Sequence, residues 1–349
     1  WESLAAARAW AYRTGFFKQR KLQGAVISIG NITFGGTGKT PLTIWLAKKL
    51  SGRGYRVAIL TRGYSRQTRD HRVLLAGADH SARRAASKSL DDGDETQLYL
   101  RHLPSTHVGI AAHRFDAGHL LERKVPIDVH LLDDGFQHLA LARDCDVVLI
   151  DASNPWGSNS AAGRLLRESP SALRRAHVLI LTRCEQVDVS SISRLENTLR
   201  QINPNALLLN AATVLSGYRS DLNAPPLGVR NMEGKRALGL CAIGNADNFW
   251  ALLRAAGVTL VDTRTYPDHH HYNDQEVDQI NDLLRSHSAD CLITTEKDVV
   301  NLPHPERFAG NFIVPAYWAE IDLSISCEEE FLELLEQKIG LRRKLSERH

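Results

Sequence analysis

At 349 residues the chain exceeds one ordinary domain, and its 43% hydrophobic and 24% charged content are those of a globular protein with a full core. A formal charge of +3 is too small to make nucleic acid a bulk partner. The five cysteines (Cys145, Cys184, Cys241, Cys291 and Cys327) are scattered without a C-x-x-C pair, which excludes a disulfide framework and a zinc site and suits a reducing cytoplasm.

The chain opens on "WESLAAARAWAYRTGFFKQRK", in which Arg8, Arg13, Lys18, Arg20 and Lys21 face a single acid, Glu2. It begins without methionine, so a few preceding residues are expected. The segment lacks the apolar centre and cleavage site of a secretory signal, and no stretch approaches the ~20 apolar residues of a membrane span. On a helical wheel Trp1, Leu4, Tyr12 and Phe16 share a face that Arg8 interrupts, with Trp10 and Phe17 opposite. Two readings stand: a helix docked on the domain that follows, or an interfacial helix with aromatics at headgroup depth and cations on anionic lipid.

From residue 25 onward, short apolar runs alternate with helix-length periodic segments, the mark of a parallel sheet wrapped by helices. Strands are expected at 25–29, 57–60, 108–111, 129–132, 147–150 and 178–181. Helices are expected at 41–50, 96–102, 115–123 and 191–201. The near-continuous Val, Ile and Leu of these strands imply burial on both faces. "LSGYRSDLNAPPLGVRNMEGKR" breaks the rhythm and reads as a linker. A shorter alternation follows, with strands at 237–243 and 291–294 and helices at 247–256 and 274–286. The expected fold is α/β, a P-loop NTPase-like, mostly parallel sheet with helices on both faces, plus a second, smaller α/β domain. The expected boundaries are an N-terminal helix 1–22, a P-loop domain 23–210, a linker 211–236, a second domain 237–312, and a return linker with C-terminal helix 313–349.

"GNITFGGTGKTP" follows the first strand and opens a helix that has Pro41 in its first turn, the context a phosphate-binding loop requires. Its glycines let backbone N–H groups turn onto phosphates, and the helix N-terminus adds partial positive charge. The expected nucleotide-binding residues are Gly35, Gly36, Thr37, Gly38, Lys39, Thr40 and Pro41. Lys39 would reach the β- and γ-phosphates, and the Thr40 hydroxyl would ligate Mg²⁺. Thr33 stands where the usual loop has glycine. The spacing resembles the variant loop of partition and metal-insertion ATPases, except that Phe34 stands where those often carry lysine.

Three acidic clusters could serve such a loop. "LLDDGFQH" puts Asp133 and Asp134 at the carboxyl end of a strand, where an acidic pair for a cation belongs. "DDGDE" (Asp91, Asp92, Asp94, Glu95) either caps the helix that follows or supplies the base for an attacking hydroxyl. "YPDHHHY" offers His269, His270 and His271, which cannot all reach one ion, so a histidine orienting a carboxylate is the better reading. Arginines at 62, 66, 69, 72, 164 and 167 read by default as solvated charged loops, and an anionic acceptor would make use of their forks.

These pieces resemble the tetraacyldisaccharide 4′-kinase (lipid A 4′-kinase) family. The matching stretches are "ISIGNITFGGTGKTP", "LTRGY", "DGDE", "HRFDAG", "LLDDGFQHLALARDCDVVLIDA", "GRLLRE", "AIGNADNFW", "YPDHHHY" and "TTEKD", in family order over residues ~25 to ~300. The resemblance implies transfer of the ATP γ-phosphoryl group, with Mg²⁺, to the 4′-hydroxyl of an acylated glucosamine disaccharide 1-phosphate lipid. It also implies two α/β/α domains on a two-stranded linker, and a peripheral enzyme on the cytoplasmic face of the bacterial inner membrane, with no nucleic acid partner. By motif, Lys39, Asp94 as base and His269 as its partner are implied to be catalytic. Thr40, Asp133, Asp134 and Glu95 are implied to hold metal, and Arg114, Arg167, Gln137 and His138 to meet substrate. The extra histidines of "YPDHHHY" leave His270 as an alternative to His269. The rival class is a P-loop switch or partitioning ATPase, against which Phe34 and the acid–histidine pair both argue.

Overall fold

The computed structural model describes residues 8, 10–12, 14–34, 36–63, 72–75, 94–157, 166–221, 225–268, 270–303 and 305–346. The chain divides into two compact units, one of Trp1–Ala212 with Leu323–His349 and one of Thr213–Asp322. The cysteines are all free thiols.

In the first unit, strands β1 (Ala25–Asn31), β2 (Val57–Thr61), β3 (Arg72–Leu74), β4 (His107–Ile110), β5 (Val129–Asp133), β6 (Cys145–Asp151), β7 (Val178–Thr182) and the first half of β8 (Leu207–Arg219, which continues past Ala212 into the second unit) are ordered β3-β4-β2-β5-β1-β6-β7-β8. The described pairings are parallel except β3 with β4. Helices α1 (Lys39–Gly52), α2 (Asp94–His102), α3 (Arg114–Glu122) and α4 (Val189–Ile202) connect them.

Apolar residues on both faces of each strand explain why the sheet is covered twice. Ile27 and Ile29 of β1 point into a core with Leu42, Leu46 and Leu50 of α1 and Tyr99 of α2. Val26, one step out of phase, joins Ala117 and Leu121 of α3. Further along the same sheet, Val148 and Leu179 meet Leu195 and Leu199 of α4. A side chain such as Leu46, fully buried, contributes on the order of 1.5–3 kcal/mol. The C-terminal helix, α8 (Glu328–Ser346), packs Phe331, Leu332, Leu335 and Ile339 into the first of these cores, with the Trp45 and Phe331 rings stacked 6.2 Å apart.

The second unit orders its strands β10 (Thr259–Thr265), β9 (Arg236–Cys241), β11 (Cys291–Thr295) and β12 (Ala316–Ile325), with parallel pairings. It carries α5 (Ala246–Ala255), α6 (Asp274–Ser286) and the short α7 (Glu296–Val300). Each of the three starts on a side-chain cap, from Asn245, Asn273 and Thr295 respectively.

The stretch whose composition suggests a linker starts inside structure, since β8 continues to Arg219. Gly217 makes this workable: a Cβ there would lie 2.6 Å from the Leu227 carbonyl oxygen, whose residue pairs with Tyr218. Edge strands β3 and β10 are short or polar enough to escape an apolar-run criterion.

Candidate active site

Register brings the working ends of the strands level. Ile29 pairs with Asp133 on one side and Val147 on the other, so the segments leaving β1, β5, β6 and β7 share the carboxyl edge of the first unit's sheet. In open α/β sheets ligands bind at that edge. Gly30 lets the two central segments touch, because a Cβ there would meet the Phe136 backbone nitrogen at 2.8 Å.

The glycine-rich loop is anchored on one side by pairing with residues 166–168. Thr33 bridges Leu166, and the Arg167 N–H donates to the Ile32 carbonyl at 2.8 Å. Gly38 has φ +89°, a left-handed conformation that glycine adopts without strain. It starts α1, which has neither a side-chain cap nor an acidic residue in its first turn. The N–H groups of that turn are therefore left to an exogenous acceptor, and an anion is the natural one. Thr37 is buried and its hydroxyl has no partner among the described residues.

Around this helix end sits a chain of charges. Lys39 Nζ lies 3.4 Å from Asn31 Oδ1 and 3.5 Å from Asp134 Oδ1. Asp134, held at φ +48°, also receives Arg167 Nη1 on both oxygens at 2.7 and 2.6 Å. The Arg167 guanidinium lies 5.2 Å from the centre of the exposed Phe34 ring. Asp133 is buried, and one of its oxygens has no hydrogen-bond partner among the described residues. Burial and the neighbouring Asp134 raise its pKa, against the pull of Tyr99, Lys39 and Arg114. An under-compensated buried carboxylate beside a second carboxylate is the arrangement that a divalent cation relieves.

The other expected residues fall around this centre. Gln137 donates to the Asn31 carbonyl at 2.9 Å and to Glu168 at 3.0 Å, and Glu168 in turn takes Arg175 at 2.9 Å. Arg114 is buried at the start of α3 and donates to the Ala112 carbonyl at 3.1 Å. His138 is pushed down to about 3 by burial and by Arg114 and Arg143, which keeps it neutral at ordinary pH. Thr40 and Pro41 occupy the first turn of α1, both half-buried. Gly35, Arg66, Arg69, Asp91, Asp92, Arg164 and His269 lie outside the described residues. Asp94 and Glu95 are described only as the backbone of α2's first turn.

Sequence reasoning passed over two neighbours of the loop. Asn31 closes β1 with its side chain on Lys39. Arg183, at φ +60° just after β7, donates to the Gly36 carbonyl at 2.5 Å and pairs with Asp151 at the end of β6. A non-glycine residue in the left-handed region directly after a strand is a feature that only coordinates reveal. Among the described residues no cluster of three or more His, Cys, Asp or Glu side chains could hold a metal alone. Asp133 and Asp134 are the two carboxylates at this edge that could share a divalent cation with phosphate and water.

A model of the family described as tetraacyldisaccharide-1-P 4′-kinase matches residues 1–340. The chain belongs to that family. A tetraacyldisaccharide 4′-kinase of Syntrophobacter fumaroxidans is 37% identical over 301 residues, 84% of this chain and 77% of the relative. One from Syntrophus aciditrophicus is 32% identical over 333 residues, 93% and 86% of the two chains. A crystal structure of the family's "apo" form from Aquifex aeolicus in complex with ATP superposes with a TM-score of 0.72 over 97% of this chain and 96% of that one. At 23% identity that likeness speaks for the fold. Family membership makes the chain a kinase and sets the switch-ATPase alternative aside. No helix among the described residues is long and apolar enough to cross a membrane.

Proposed function

We propose that the chain phosphorylates the 4′-hydroxyl of an acylated glucosamine disaccharide 1-phosphate, using ATP and Mg²⁺, at the carboxyl edge of the first unit's sheet. The observation that carries the placement is the uncapped start of α1, with Lys39, Asp133, Asp134 and Arg167 gathered around it. When bound, ATP supplies the transferable phosphoryl group and Mg²⁺ neutralises its charge. Lys39 would leave Asp134 and Asn31 for the phosphates, while Thr40, Asp133, Asp134 and Glu95 would hold the cation. Asp94 takes the proton of the acceptor hydroxyl and His269 supports it. Arg167 and Arg114 would offset charge on the phosphoryl groups of nucleotide or acceptor. Gln137 and His138 face the acceptor, His138 as a neutral hydrogen-bonding group.

The acceptor's acyl chains require a lipid surface, so the enzyme works there as a peripheral protein on the cytoplasmic face of the inner membrane. The exposed Trp10, Phe16 and Phe17 support this, at 57%, 76% and 45% accessibility. The test is transfer of labelled γ-phosphate from ATP to the detergent-dispersed disaccharide lipid. Label must appear in the lipid and depend on Mg²⁺. Hydrolysis of ATP at the same rate without lipid would defeat the proposal.

A further inference from the structure

The second unit contains a second convergent polar centre, at the carboxyl ends of β9 and β11. Asp298, fully buried in α7, takes the Ala242 N–H at 2.8 Å and the Tyr272 hydroxyl at 3.0 Å on one oxygen. Its other oxygen takes the hydroxyls of Thr294 at 3.2 Å and Thr295 at 2.5 Å. Burial and the Asp298 charge hold the Tyr272 phenol far above its ordinary range, so it serves as a donor only. The backbone of Tyr272 is tied as well, its N–H donating to the Asn301 carbonyl at 2.9 Å.

This centre fastens one end of "YPDHHHY". His270 is engaged through its ring and through one ring nitrogen. Its imidazole stacks on Tyr266 with centroids 4.7 Å apart and lies T-shaped to Tyr272 at 5.0 Å. Its Nε2 lies 3.0 and 3.1 Å from the two oxygens of Glu276. Glu276 is itself fixed by the capping box of α6, where its carboxylate accepts from the Asn273 N–H at 3.0 Å. On the other side, Asp268 pairs with Lys297 of α7 at 2.8 Å. Both sequence neighbours of position 269 are therefore tied to elements of the second unit's own core, and His271 is exposed.

We infer that His270 and Tyr272 are positioning residues, which fix the strap of described residues 268 and 270–272 through Glu276 and Asp298. The inference rests on the reading of His269 as the acting histidine. Pre-fixed backbone on both sides of an acting residue lowers the ordering cost of the reactive geometry, and a misplacement of about 1 Å can cost ~10²-fold in rate.

The test compares kcat and KM for ATP and for the lipid acceptor in His269→Ala, His270→Ala, His270→Phe, His271→Ala and Tyr272→Phe, with a thermal melt of each. Expected are a loss of at least ~100-fold in kcat for His269→Ala and no change for His271→Ala. His270→Ala and Tyr272→Phe should lose roughly ten- to a hundred-fold in kcat with KM for ATP unchanged. His270→Phe, which keeps the stack and loses only the Glu276 bond, should recover part of the His270→Ala loss, and it covers the case in which His270→Ala fails to fold. If His270→Phe is as inactive as His269→Ala while still folded, His270 itself acts and the inference falls. If His269→Ala is dead but His270→Ala and Tyr272→Phe turn over normally, the strap needs no such anchoring and the inference falls while the reading survives. A fully active His269→Ala would remove the reading itself.

Discussion

The two units each bury an aspartate at the carboxyl ends of their strands, and burial raises the pKa of both Asp133 and Asp298. Their surroundings are opposite. Asp298 has both oxygens filled by hydroxyls and a backbone N–H. Around Asp133, the buried polar atoms Asp133 Oδ1, Thr37 Oγ1, Asn31 Nδ2 and Gln137 Oε1 have no partner among the described residues. A raised carboxylate pKa therefore does not by itself separate a ligand site from scaffold. The inventory of partners does, because native proteins leave few buried polar groups unmatched unless something else is to match them.

If the unsatisfied centre is the one that works, changes to the residues assigned to catalysis should cost rate rather than stability. Asp94→Asn should lower kcat by ~10²–10⁴-fold with nucleotide affinity little changed, as for a general base. Titration of ATP binding beside steady-state kinetics checks this; loss of binding with kcat intact would make Asp94 a metal or capping residue. Lys39→Ala should lower kcat by ~10²–10³-fold, since its charge is needed where negative charge shifts in the transition state. Turnover within a few-fold of the parent would mean that this loop is not the active one.

The comparison is sharpest when the two buried aspartates are changed alike. Asp298→Asn should destabilise by roughly 1–3 kcal/mol, because an amide NH₂ then faces hydroxyl donors that lose their acceptor. Asp133→Asn should leave the ligand-free protein as stable or more so, by relieving a buried charge beside Asp134, while removing Mg²⁺-dependent turnover. Denaturant melts of both variants decide the matter. A stabilised Asp298→Asn would show that its hydrogen bonds do not offset the burial of its charge.

His138 gives a pH signature on the working side. Its ordinary value of 6.5 falls to about 3 in the folded protein, so the unfolded chain binds the proton first as pH drops. Stability from this site is therefore complete above about 6.5 and lost progressively from there toward 3. A His138→Gln variant should lose less stability than the parent across that window. Equal slopes in acid melts would mean that His138 is not desolvated.

The smallest effect expected concerns the N-terminus. Gln19 donates to the Leu139 carbonyl at 2.8 Å, and Arg20 is bonded into residues 140–142 and pairs with Asp116 at 2.9 Å. A truncation that spares this docking therefore removes residues 1–17. It should keep the fold and lose Arg8, Arg13 and the exposed aromatics, weakening binding to anionic vesicles by ~1 kcal/mol per surface cation. Flotation at low and physiological salt reads this out, and unchanged binding would move the membrane contact elsewhere.

What the sequence by itself determined was whatever has a local cause. Strands β1, β2 and β4 to β7 and their helices followed from apolar runs and period, and residues 274–286 were bounded correctly because the Asn273–Glu276 box is written in the chain. The glycine-rich turn between β1 and α1 was legible because strand, glycines, lysine and Pro41 are contiguous. Strand β8, edge strands β3 and β10, and short α7 were not, since polar or glycine-containing stretches become strands only when a neighbour offers its backbone. The charge chain from Lys39 through Asp134 to Arg167, the grip of Arg183 on Gly36, and the opposite fates of Asp133 and Asp298 join residues far apart in sequence. Only the tertiary structure decided them, because a buried group's chemistry depends on which partners folding brings within hydrogen-bond reach.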